Sequence, residues 1–378
     1  MRAVIAGAGA GKTRWIVEHV RSLLASGVGP RSVLVTTFTR DAVAELRSRI
    51  GEGVRISTIH APAWDIVRAA YPSARVHRES QIVSDLHPLV GSFASAVAVE
   101  QSRWTERGSA LSAWSPPPGF ALPPLLTAAA VRDAMISTQA ARLAEQRFSF
   151  SDALCAAVGV TESQSASGLR HVVVDESQDL SPLMARLLAA WESAGADIVL
   201  VDDPEQSIYA FRGGDPEMLR AADLLETLLV NYRSNVNIVR AASTLRADNL
   251  ELRAASDSPG SVIVHLWPSR SHMFDHCMDW KDGQLLTRTQ KDATLLHGRT
   301  VHSAKGLEWD SVAIYDVTEG SFPISRAGDS AALAEEKRLM YVACTRAKHE
   351  LHIHTFKDRV SRFIHELIDV PGVDSIVH

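Results

Sequence analysis

A glycine-rich turn near the start of the chain constrains its fold more than any other feature. Residues 7–13 read GAGAGKT, directly after the apolar run AVIA and at the start of a helix-like stretch. Glycines let backbone N–H groups approach phosphate oxygens at a helix N-terminus, while Lys12 can reach the β and γ phosphates and Thr13 offers a hydroxyl to Mg2+. The strict GxxxxGK pattern requires glycine where this chain has Ala6. By itself the turn predicts either an ATP and Mg2+ site or a tight structural turn.

Strand-like and helix-like segments alternate through the first 70 residues. Apolar runs at 33–36 and 55–58 each precede a helix-like stretch, as the run before the glycine turn does. Such alternation predicts a parallel sheet with covering helices, an α/β fold. Residues 71–149 change to alanine-rich sequence of helical period, interrupted by the proline-rich stretch 114–124. This change predicts an inserted helical subdomain.

Strand-like runs resume after the insertion. The runs at 171–175 and 197–203 return the chain to the first sheet, and a second α/β series follows a boundary near 215–226. Its strands are predicted at 228–232, 261–266, 284–287, 311–316 and 350–356. The predicted domains are residues 1–70 with 150–220, the helical insertion 71–149, and residues 221–378.

Two acidic residues follow the apolar run at 172–174. Asp175 and Glu176 would lie at the carboxyl end of a strand, where open α/β sheets bind their ligands. Asp175 would hold Mg2+ directly or through water, and Glu176 would orient and deprotonate the water that attacks a γ-phosphate. The alternative is a solvated pair of carboxylates at a strand end, and the GKT turn upstream argues against it.

Composition narrows the class of protein without choosing a partner. The 378 residues suffice for two or three domains, and 39 Lys and Arg against 44 Asp and Glu give a net charge of −5. A protein that coats duplex nucleic acid through bulk positive charge is excluded, although a local basic groove is not. No apolar stretch reaches the roughly 18 residues of a membrane helix, so we expect a soluble protein with no membrane partner.

Cysteines and histidines offer weak metal signals. Cys155, Cys277 and Cys344 are odd in number and form no CxxC pair, which predicts reduced, intracellular thiols rather than disulfides or a zinc knuckle. His272 and His276 stand at helical i, i+4 spacing beside Cys277, but no fourth ligand of matching spacing follows. We therefore predict a partly buried helix face there rather than a metal site.

Eight segments of the chain are taken together here: GAGAGKTR (7–14), TFTRDAVAELRSRI (37–50), STIHAPAW (57–64), VVVDESQDLSP (172–182), VDDPEQSIYAFRGG (201–214), VNYRS (230–234), TVHSAKGLEW (300–309) and EEKRLMYVACTRAKHEL (335–351). In this order they resemble the motifs of UvrD/Rep-like superfamily 1 DNA helicases, a family in which alanine at the position of Ala6 is expected. The resemblance implies two RecA-like P-loop NTPase domains with a helical, 1B-like insertion in the first. It also implies a 3′ to 5′ ATP-dependent single-stranded DNA translocase or helicase. The alternative is a DNA-stimulated ATPase or nucleotide-switched regulator that needs a partner to unwind DNA.

The resemblance assigns roles around ATP and Mg2+, in a cleft between the two RecA-like domains. Catalytic roles fall to Lys12, to Asp175 as metal ligand, to Glu176 as base, to Gln206 as γ-phosphate sensor, and to Arg233 and Arg346 as arginine fingers. The residues that would contact the nucleotide are Gly7, Ala8, Gly9, Ala10, Gly11, Lys12, Thr13, Arg14, Tyr232 and Glu308. Within this group, Thr13 would also bind the metal, Arg14 and Tyr232 would hold adenine between them, and Glu308 would contact the ribose. Arginine suits the finger role because its planar guanidinium contacts phosphate bidentately and stays charged.

Single-stranded DNA requires aromatic platforms and a modest basic groove. Phe38, Tyr209 and Phe211 occupy matching family positions, and Phe211 stands where many relatives have Trp. Trp64 is either a further platform or a core residue. Further candidate contacts to DNA are Arg212, Thr58, His60, His302 and Lys305, and for each of them structural packing is an open alternative.

The chain departs from the family pattern in two places. Relatives usually begin with a segment that carries an adenine-reading Gln, whereas here the loop begins at Gly7, so we expect relaxed nucleotide preference. Relatives also carry a large 2B subdomain where this chain joins residues 284–299 directly to 300–306, so we expect a compact core. We further expect a monomer that binds single-stranded DNA and single-strand/duplex junctions. The expected location is the cytoplasm of a bacterium or a phage-infected cell. The sequence leaves open the biological pathway and any accessory protein.

Overall fold

The chain forms two compact units. A computed structural model describes residues 1–117, 119–164, 168–208, 222–248, 250–324 and 330–378. The first unit consists chiefly of Met1–Ala3 and Ile16–Val201, and the second of Val4–Trp15, Asp202–Ile208 and Leu224–His378. This grouping places the glycine turn and residues 202–208 with the C-terminal half of the chain, whereas the domain prediction placed both with the first half. The predicted boundaries stay a prediction.

Two six-stranded sheets carry the fold. The strands of the first are β1 (Arg2–Ala6), β2 (Val33–Thr37), β3 (Arg55–Thr58), β6 (His171–Asp175), β7 (Asp197–Asp202) and β8 (Asp223–Leu228), in the order β3-β2-β6-β7-β1-β8. The strands of the second are β11 (Ser261–Trp267), β12 (Gln284–Thr287), β13 (Arg299–Thr300), β14 (Trp309–Ile314), β15 (Ala347–Phe356) and β16 (Val373–Val377), in the order β13-β12-β14-β15-β11-β16. Short strand pairs join β4 (Arg75–Val76) to β5 (Arg147–Phe148) and β9 (Val230–Asn231) to β10 (Arg253–Ala254).

Helices follow the strands in both series. Those that begin in the first half of the chain are α1 (Lys12–Ala25), α2 (Arg40–Ile50), α3 (His60–Ala70), α4 (Glu79–Val90), α5 (Ala94–Glu106), α6 (Ala128–Ala144), α7 (Phe150–Gln164) and α8 (Pro182–Ser193). Those in the second half are α9 (Val236–Ser243), α10 (Arg270–Met278), α11 (Gln290–Leu295), α12 (Ser330–Cys344) and α13 (Arg362–Leu367). The predicted fold class, α/β with parallel sheets and helices, is confirmed.

The core of the first unit lies between its parallel strands and three helices. β2 pairs in parallel with β3 and β6, and β6 with β7. Every residue of β2 is buried, as expected for a strand that is covered on both faces. Apolar side chains of these strands pack with those of α3, α7 and α8, including Leu34, Val174, Val67, Leu154 and Trp191.

The helical segment has a hydrophobic cluster of its own. Apolar residues of α4, α5 and α6 pack together with buried Trp114, which begins the proline-rich stretch. Among the described residues, Glu79–Glu106 is long and apolar enough to cross a membrane by length and composition, contrary to the expectation from the sequence. This finding is weak evidence for a span, because helices that pack in a core pass the same test, and Leu86 and Val97 of this stretch are fully buried.

Candidate nucleotide site and nucleic-acid contacts

The glycine turn has the geometry that its sequence predicts. β1 precedes it and α1 begins at Lys12, so its amides lie at a helix N-terminus. Gly9 and Gly11 have φ angles of 68° and 83°, a region that side-chain-bearing residues rarely adopt. A Cβ on Gly9 would also lie 2.7 Å from Cβ of Arg233. Glycine is therefore required here both by backbone conformation and by the close approach of the segment around Arg233.

That segment contacts the turn through backbone and side-chain atoms. Asn231 Nδ2 donates to the carbonyl oxygen of Ala8 (2.7 Å), and the backbone N–H of Tyr232 donates to that of Gly9 (2.9 Å). The Tyr232 side chain is 63% exposed, and its ring lies 3.7 Å from the position of a Cβ on Gly11, with Cβ of Arg14 4.0 Å away. The two residues predicted to hold adenine thus flank the same glycine.

Arg233 is held by an acidic partner. Its Nε donates to Oε2 of Glu308 (2.6 Å), and its Nη1 donates to the carbonyl oxygen of Thr345 (3.2 Å). Glu308 also pairs with Lys348 at 3.2 Å. Burial alone would raise the pKa of Glu308, but Arg233 and Lys348 outweigh it and lower that pKa. The carboxylate therefore stays ionised and orients the predicted finger.

Arg346 contacts the predicted γ-phosphate sensor directly. Its side chain is almost completely buried, and its Nη2 donates to Oε1 of Gln206 (3.2 Å). Gln206 Nε2 in turn donates to Oδ2 of Asp203 (2.8 Å). Lys305, predicted as a DNA contact, donates from Nζ to the carbonyl oxygen of Gln206 (2.8 Å). Residues of three motif segments that are far apart in sequence thus meet within the second unit.

The acidic pair lies at the end of a central strand of the first unit. Asp175 is the last residue of β6 and is buried, and its Oδ1 accepts the backbone N–H of Glu176 (3.0 Å). Glu176 has a φ of 54°, a left-handed conformation that is uncommon outside glycine and is concentrated at functional sites. Its Oε2 accepts a hydrogen bond from Nε2 of Gln178. Sequence reasoning had no signal for this backbone conformation.

Several predicted DNA contacts lie at the same edge of the first unit's sheet. Thr58 ends β3, opposite Thr37 of β2, and Phe38 follows β2 and packs against the core. The His60 ring lies 5.6 Å from that of Phe150 in an edge-to-face contact, and burial lowers the pKa of His60. Because neighbouring parallel strands end together, these residues share the carboxyl edge with Asp175.

Trp64 belongs to the packing of the first unit. Its ring is half-buried, lies 6.4 Å from that of Phe148 in an edge-to-face contact, and joins the hydrophobic core. The guanidinium of Arg68 lies 5.6 Å from the Trp64 ring centroid. Of the two interpretations of Trp64, these contacts favour the core residue.

The remaining candidates fall elsewhere. His302 is half-buried in a short 3-10 turn, His302–Ala304. Tyr209, Phe211 and Arg212 lie outside the described residues. On α10, Met273 and Cys277 are buried, and the His276 ring lies tilted against that of Trp267, with ring centroids 4.8 Å apart. Within the described part of the chain, no group of three or more His, Cys, Asp or Glu side chains could hold a metal ion.

Sequence reasoning missed three buried polar residues of the second unit. Tyr341, Arg246 and Asp203 hydrogen-bond to one another next to Ala8. Tyr341 and Asp203 lie inside motif-like segments, which could have drawn attention to them. Arg246 lies in none of these segments, so only its contacts with Asp203 and Tyr341 in the folded chain reveal its role.

The fold and the turn together define an α/β protein of the phosphate-loop class. Residues 1–212 match the family described as AAA domain, and residues 283–358 match the UvrD-like helicase C-terminal domain. The chain belongs to the UvrD/Rep-like superfamily 1 DNA helicases, which confirms the resemblance read from its motifs.

The fraction of a relative's length that this chain covers differs from one relative to the next. ATP-dependent DNA helicase UvrD2 of Mycobacterium tuberculosis is 30% identical over 285 residues, which are 65% of this chain and 41% of the relative. Escherichia coli DNA helicase IV is 26% identical over 475 residues, covering 97% and 68%, and Escherichia coli ATP-dependent DNA helicase Rep is 26% identical over 277 residues, covering 65% and 41%. The chain therefore spans about two fifths of UvrD2 and Rep.

The alignment with helicase IV is longer than this whole chain, so that relative carries extra residues within the aligned stretch. Among solved structures, arterivirus nonstructural protein 10 (helicase) aligns over 97% of this chain and 61% of its own, with a TM-score of 0.46 and 15% identity. That likeness is too low to bear on function.

Proposed function

We propose that this chain is an ATP-dependent DNA helicase or translocase that moves 3′ to 5′ on single-stranded DNA. The observation that carries the proposal is the meeting of the phosphate loop, the Gln206 and Arg346 pair, and the Arg233 and Glu308 pair within the second unit. Phosphoryl transfer needs positioned cations and an oriented nucleophile more than covalent chemistry from the protein. The family membership of the chain supports the same activity.

Each polar group of the site has a role in this proposal. Lys12 and the amides of residues 7–13 bind the phosphates, and Gln206 orients the γ-phosphate. Arg233 and Arg346 offset the charge that develops as that group transfers. Glu176 takes the proton of the attacking water. Arg14 and Tyr232 hold the base, and Glu308, which stays ionised beside Arg233, contacts the ribose.

Thr13 and Asp175 are the residues that we propose as magnesium ligands, on the chemistry of their side chains. A hydroxyl and a buried carboxylate are the hard oxygen donors that Mg2+ prefers. When bound, the ion would neutralise phosphate charge during transfer. Asp175 would hold it from the end of β6, and Thr13 from the first turn of α1.

DNA binding rests on the carboxyl edge of the first unit and on the motif residues of the second. We propose that Phe38, Thr58 and His60 contact the strand, with Tyr209, Phe211, Arg212, His302 and Lys305 as further contacts and Trp64 as a supporting core residue. Single-strand/duplex junctions are the proposed substrate, and the proposed setting is a monomer in the cytoplasm of a bacterium or a phage-infected cell.

The experiment is steady-state ATP hydrolysis with and without a saturating single-stranded oligonucleotide, in the wild type and in Glu176→Gln. We expect DNA to stimulate the wild type strongly, and Glu176→Gln to lose roughly 10²- to 10⁴-fold in rate while it still binds nucleotide and DNA. Near-normal turnover of the variant would reject Glu176 as the base. Hydrolysis that ignores DNA would reject the motor, and DNA binding without hydrolysis would favour a nucleotide-switched regulator.

Polarity is tested separately. Duplexes with a single-stranded tail at either the 3′ or the 5′ end are offered with ATP, and strand separation is followed by fluorescence. We expect the 3′-tailed duplex to be unwound faster. Equal rates, or a preference for the 5′ tail, would contradict the proposed direction.

A further inference from the structure

The backbone of Ala8 is held by hydrogen bonds at both its N–H and its carbonyl oxygen. Its N–H donates to the hydroxyl of Tyr341 (3.1 Å), and its carbonyl oxygen accepts from Nδ2 of Asn231 (2.7 Å). Tyr341 belongs to α12 and is fully buried, and Asn231 is nearly so. Residues more than two hundred positions away thus hold the first turn of the phosphate loop.

The hydroxyl of Tyr341 extends this contact toward the γ-phosphate residues. The hydroxyl donates to Oδ2 of Asp203 (3.3 Å). This carboxylate oxygen also accepts a hydrogen bond from Nε2 of Gln206 (2.8 Å). Gln206 Oε1 then accepts from Nη2 of Arg346 (3.2 Å). An unbroken chain of hydrogen bonds therefore runs from the loop backbone to the arginine. We call the following residues the loop network: Ala8, Tyr341, Asp203, Gln206, Arg346 and Arg246.

Arg246 holds the middle of the loop network in place. Its Nη1 contacts the Tyr341 hydroxyl and lies 3.2 Å from Oδ1 of Asp203, and its guanidinium lies 5.0 Å from the Tyr341 ring centroid. The side chains of Arg246 and Asp203 are fully buried. Burial, followed by the charge of Asp203, raises the pKa of Tyr341. The phenol therefore stays protonated and keeps its donor role.

Such a network is rigid for a physical reason. Charge-assisted hydrogen bonds are stronger inside a protein than in water, and a buried group that loses its partner incurs the full desolvation cost. Movement of the loop at Ala8 therefore shifts Tyr341, and with it the acceptor that orients Gln206. Neither the motif resemblance nor the proposed catalytic roles assign any function to Tyr341.

We propose that Tyr341 is a positioning residue that ties the first turn of the phosphate loop to Gln206 and Arg346. The inference rests on the proposed function, because it takes the loop to bind ATP and the other two residues to act on the γ-phosphate. Tyr341 touches neither nucleotide nor metal in this role. It sets the geometry of the groups that do.

The first test is Tyr341→Phe, which keeps the ring and removes the hydroxyl. We expect the DNA-stimulated kcat for ATP to fall about tenfold, the size of one net hydrogen bond. The matched control is Tyr315→Phe, another buried tyrosine of the second unit, which packs near Phe274 and away from the motif residues. We expect that control to keep wild-type kcat. Equal kcat in both variants would overturn the inference.

The second test separates positioning from a general structural role. Tyr341→Phe is combined with Gln206→Ala, and kcat is compared across the four proteins of the cycle. Because the path from Tyr341 runs through Gln206, we expect Tyr341→Phe to change kcat less than twofold once Gln206 is absent. An undiminished tenfold loss in that background would show that Tyr341 acts by another route.

A third measurement uses the wild type alone, so that it does not depend on whether a variant folds. Residue-resolved hydrogen exchange in the nucleotide-free protein reports the Ala8 amide directly. We expect that amide to exchange far more slowly than an unprotected loop amide, and rapid exchange would overturn the inference. A wild type without ATPase activity would reject the proposed function, whereas an active wild type with an indifferent Tyr341→Phe would reject only the role of Tyr341.

Discussion

Two clusters of polar side chains in the second unit differ in how their charge is neutralised. In the loop network, the positive charge of Arg246 faces the negative charge of Asp203. On one face of the second sheet, histidine rings stack instead on one another and on tryptophan. We call this second group the histidine face: His265, Trp267, His276, Trp280, His352, His354 and His378.

Strand register builds the histidine face. β11 and β15 pair in parallel with His265 opposite His354, and alternate residues of each strand point to the same side. The rings of His265 and His354 are stacked 4.6 Å apart, and Trp267 Nε1 donates to Nδ1 of His354 (3.1 Å). His378 stacks on Trp267 at 3.8 Å. The neighbouring strand residues Val264 and Ile353 are fully buried.

Burial and neighbouring groups lower the pKa values of His265, His352, His354 and His378. Burial, followed by the neighbouring His352, His378 and His276, lowers the pKa of His265 to about 4. Burial, followed by the neighbouring His265, His276 and His352, holds the pKa of His354 well below its usual value. The opposing carboxylates, Glu350 at 3.8 Å from His352 and the more distant Asp282, do not reverse the lowered pKa of His352.

The two clusters therefore differ in the change that destabilises them. The loop network requires the opposite charges of Arg246 and Asp203, so removal of either partner leaves the other as a buried ion that has lost its main counter-charge. The histidine face requires the absence of charge, so proton uptake is what it cannot tolerate. The former is sensitive to substitution at neutral pH, and the latter to acid.

The largest expected effect comes from Asp203→Ala, which leaves the charge of Arg246 buried. We expect the free energy of unfolding at pH 7.5 to fall by about 3 to 5 kcal/mol, because breaking a buried ion pair is strongly destabilising and leaves Arg246 with only the partly exposed Asp248 as its counter-charge. Denaturant titration of wild type and variant measures the change. Asp248→Ala is the control: it removes the more exposed partner of Arg246, and we expect a loss of about 1 kcal/mol or less. Equal losses of unfolding free energy in the two variants would contradict the prediction that Asp203 matters more to Arg246 than Asp248 does.

The next largest effect is the response of the histidine face to pH. The pKa of His265 is about 4 in the folded chain and about 6.5 in the unfolded chain. The unfolded chain therefore takes up the proton first, and the contribution of His265 to stability is complete above pH 6.5 and is lost as pH falls toward 4. After allowance for solvent screening, we expect about 2 kcal/mol from this residue.

The pH effect is measured as melting temperature between pH 7.5 and 4, in wild type and in His265→Phe. Phenylalanine keeps a stacked ring and removes the titrating group. We expect the variant to show a shallower fall in melting temperature below pH 6.5. Parallel curves for the two proteins would mean that the lowered pKa of His265 does not govern acid sensitivity.

The smallest expected effect is that of His276→Leu, on the exposed side of the histidine face. Leucine keeps an apolar contact with Trp267, so we expect stability at pH 7.5 to stay within about 0.5 kcal/mol of wild type. One equivalent of Zn2+ should leave the melting temperature of the wild type unchanged. A rise of several degrees that His276→Leu abolishes would instead revive the metal interpretation of His272, His276 and Cys277.

Local sequence patterns predicted the features of the fold that depend on short stretches of the chain. The glycine turn before Lys12, the alternation of strands and helices, and the acidic end of β6 all depend on neighbours within a few residues. For that reason local patterns sufficed to predict the fold class and the family, and both predictions are confirmed. The roles of individual site residues stay predictions, because a motif identifies a residue without showing what it touches.

The sequence by itself thus determined the class of fold, the family and the position of the phosphate loop, since glycine content and hydrophobic period act locally. Only the tertiary structure decided that Tyr341 holds Ala8 and that Arg246 faces Asp203, pairs separated by 333 and 43 positions. It also decided that His265 stacks on His354, because strand register fixes which side chains meet. Contacts between distant residues depend on how whole elements pack, and no local pattern records that packing.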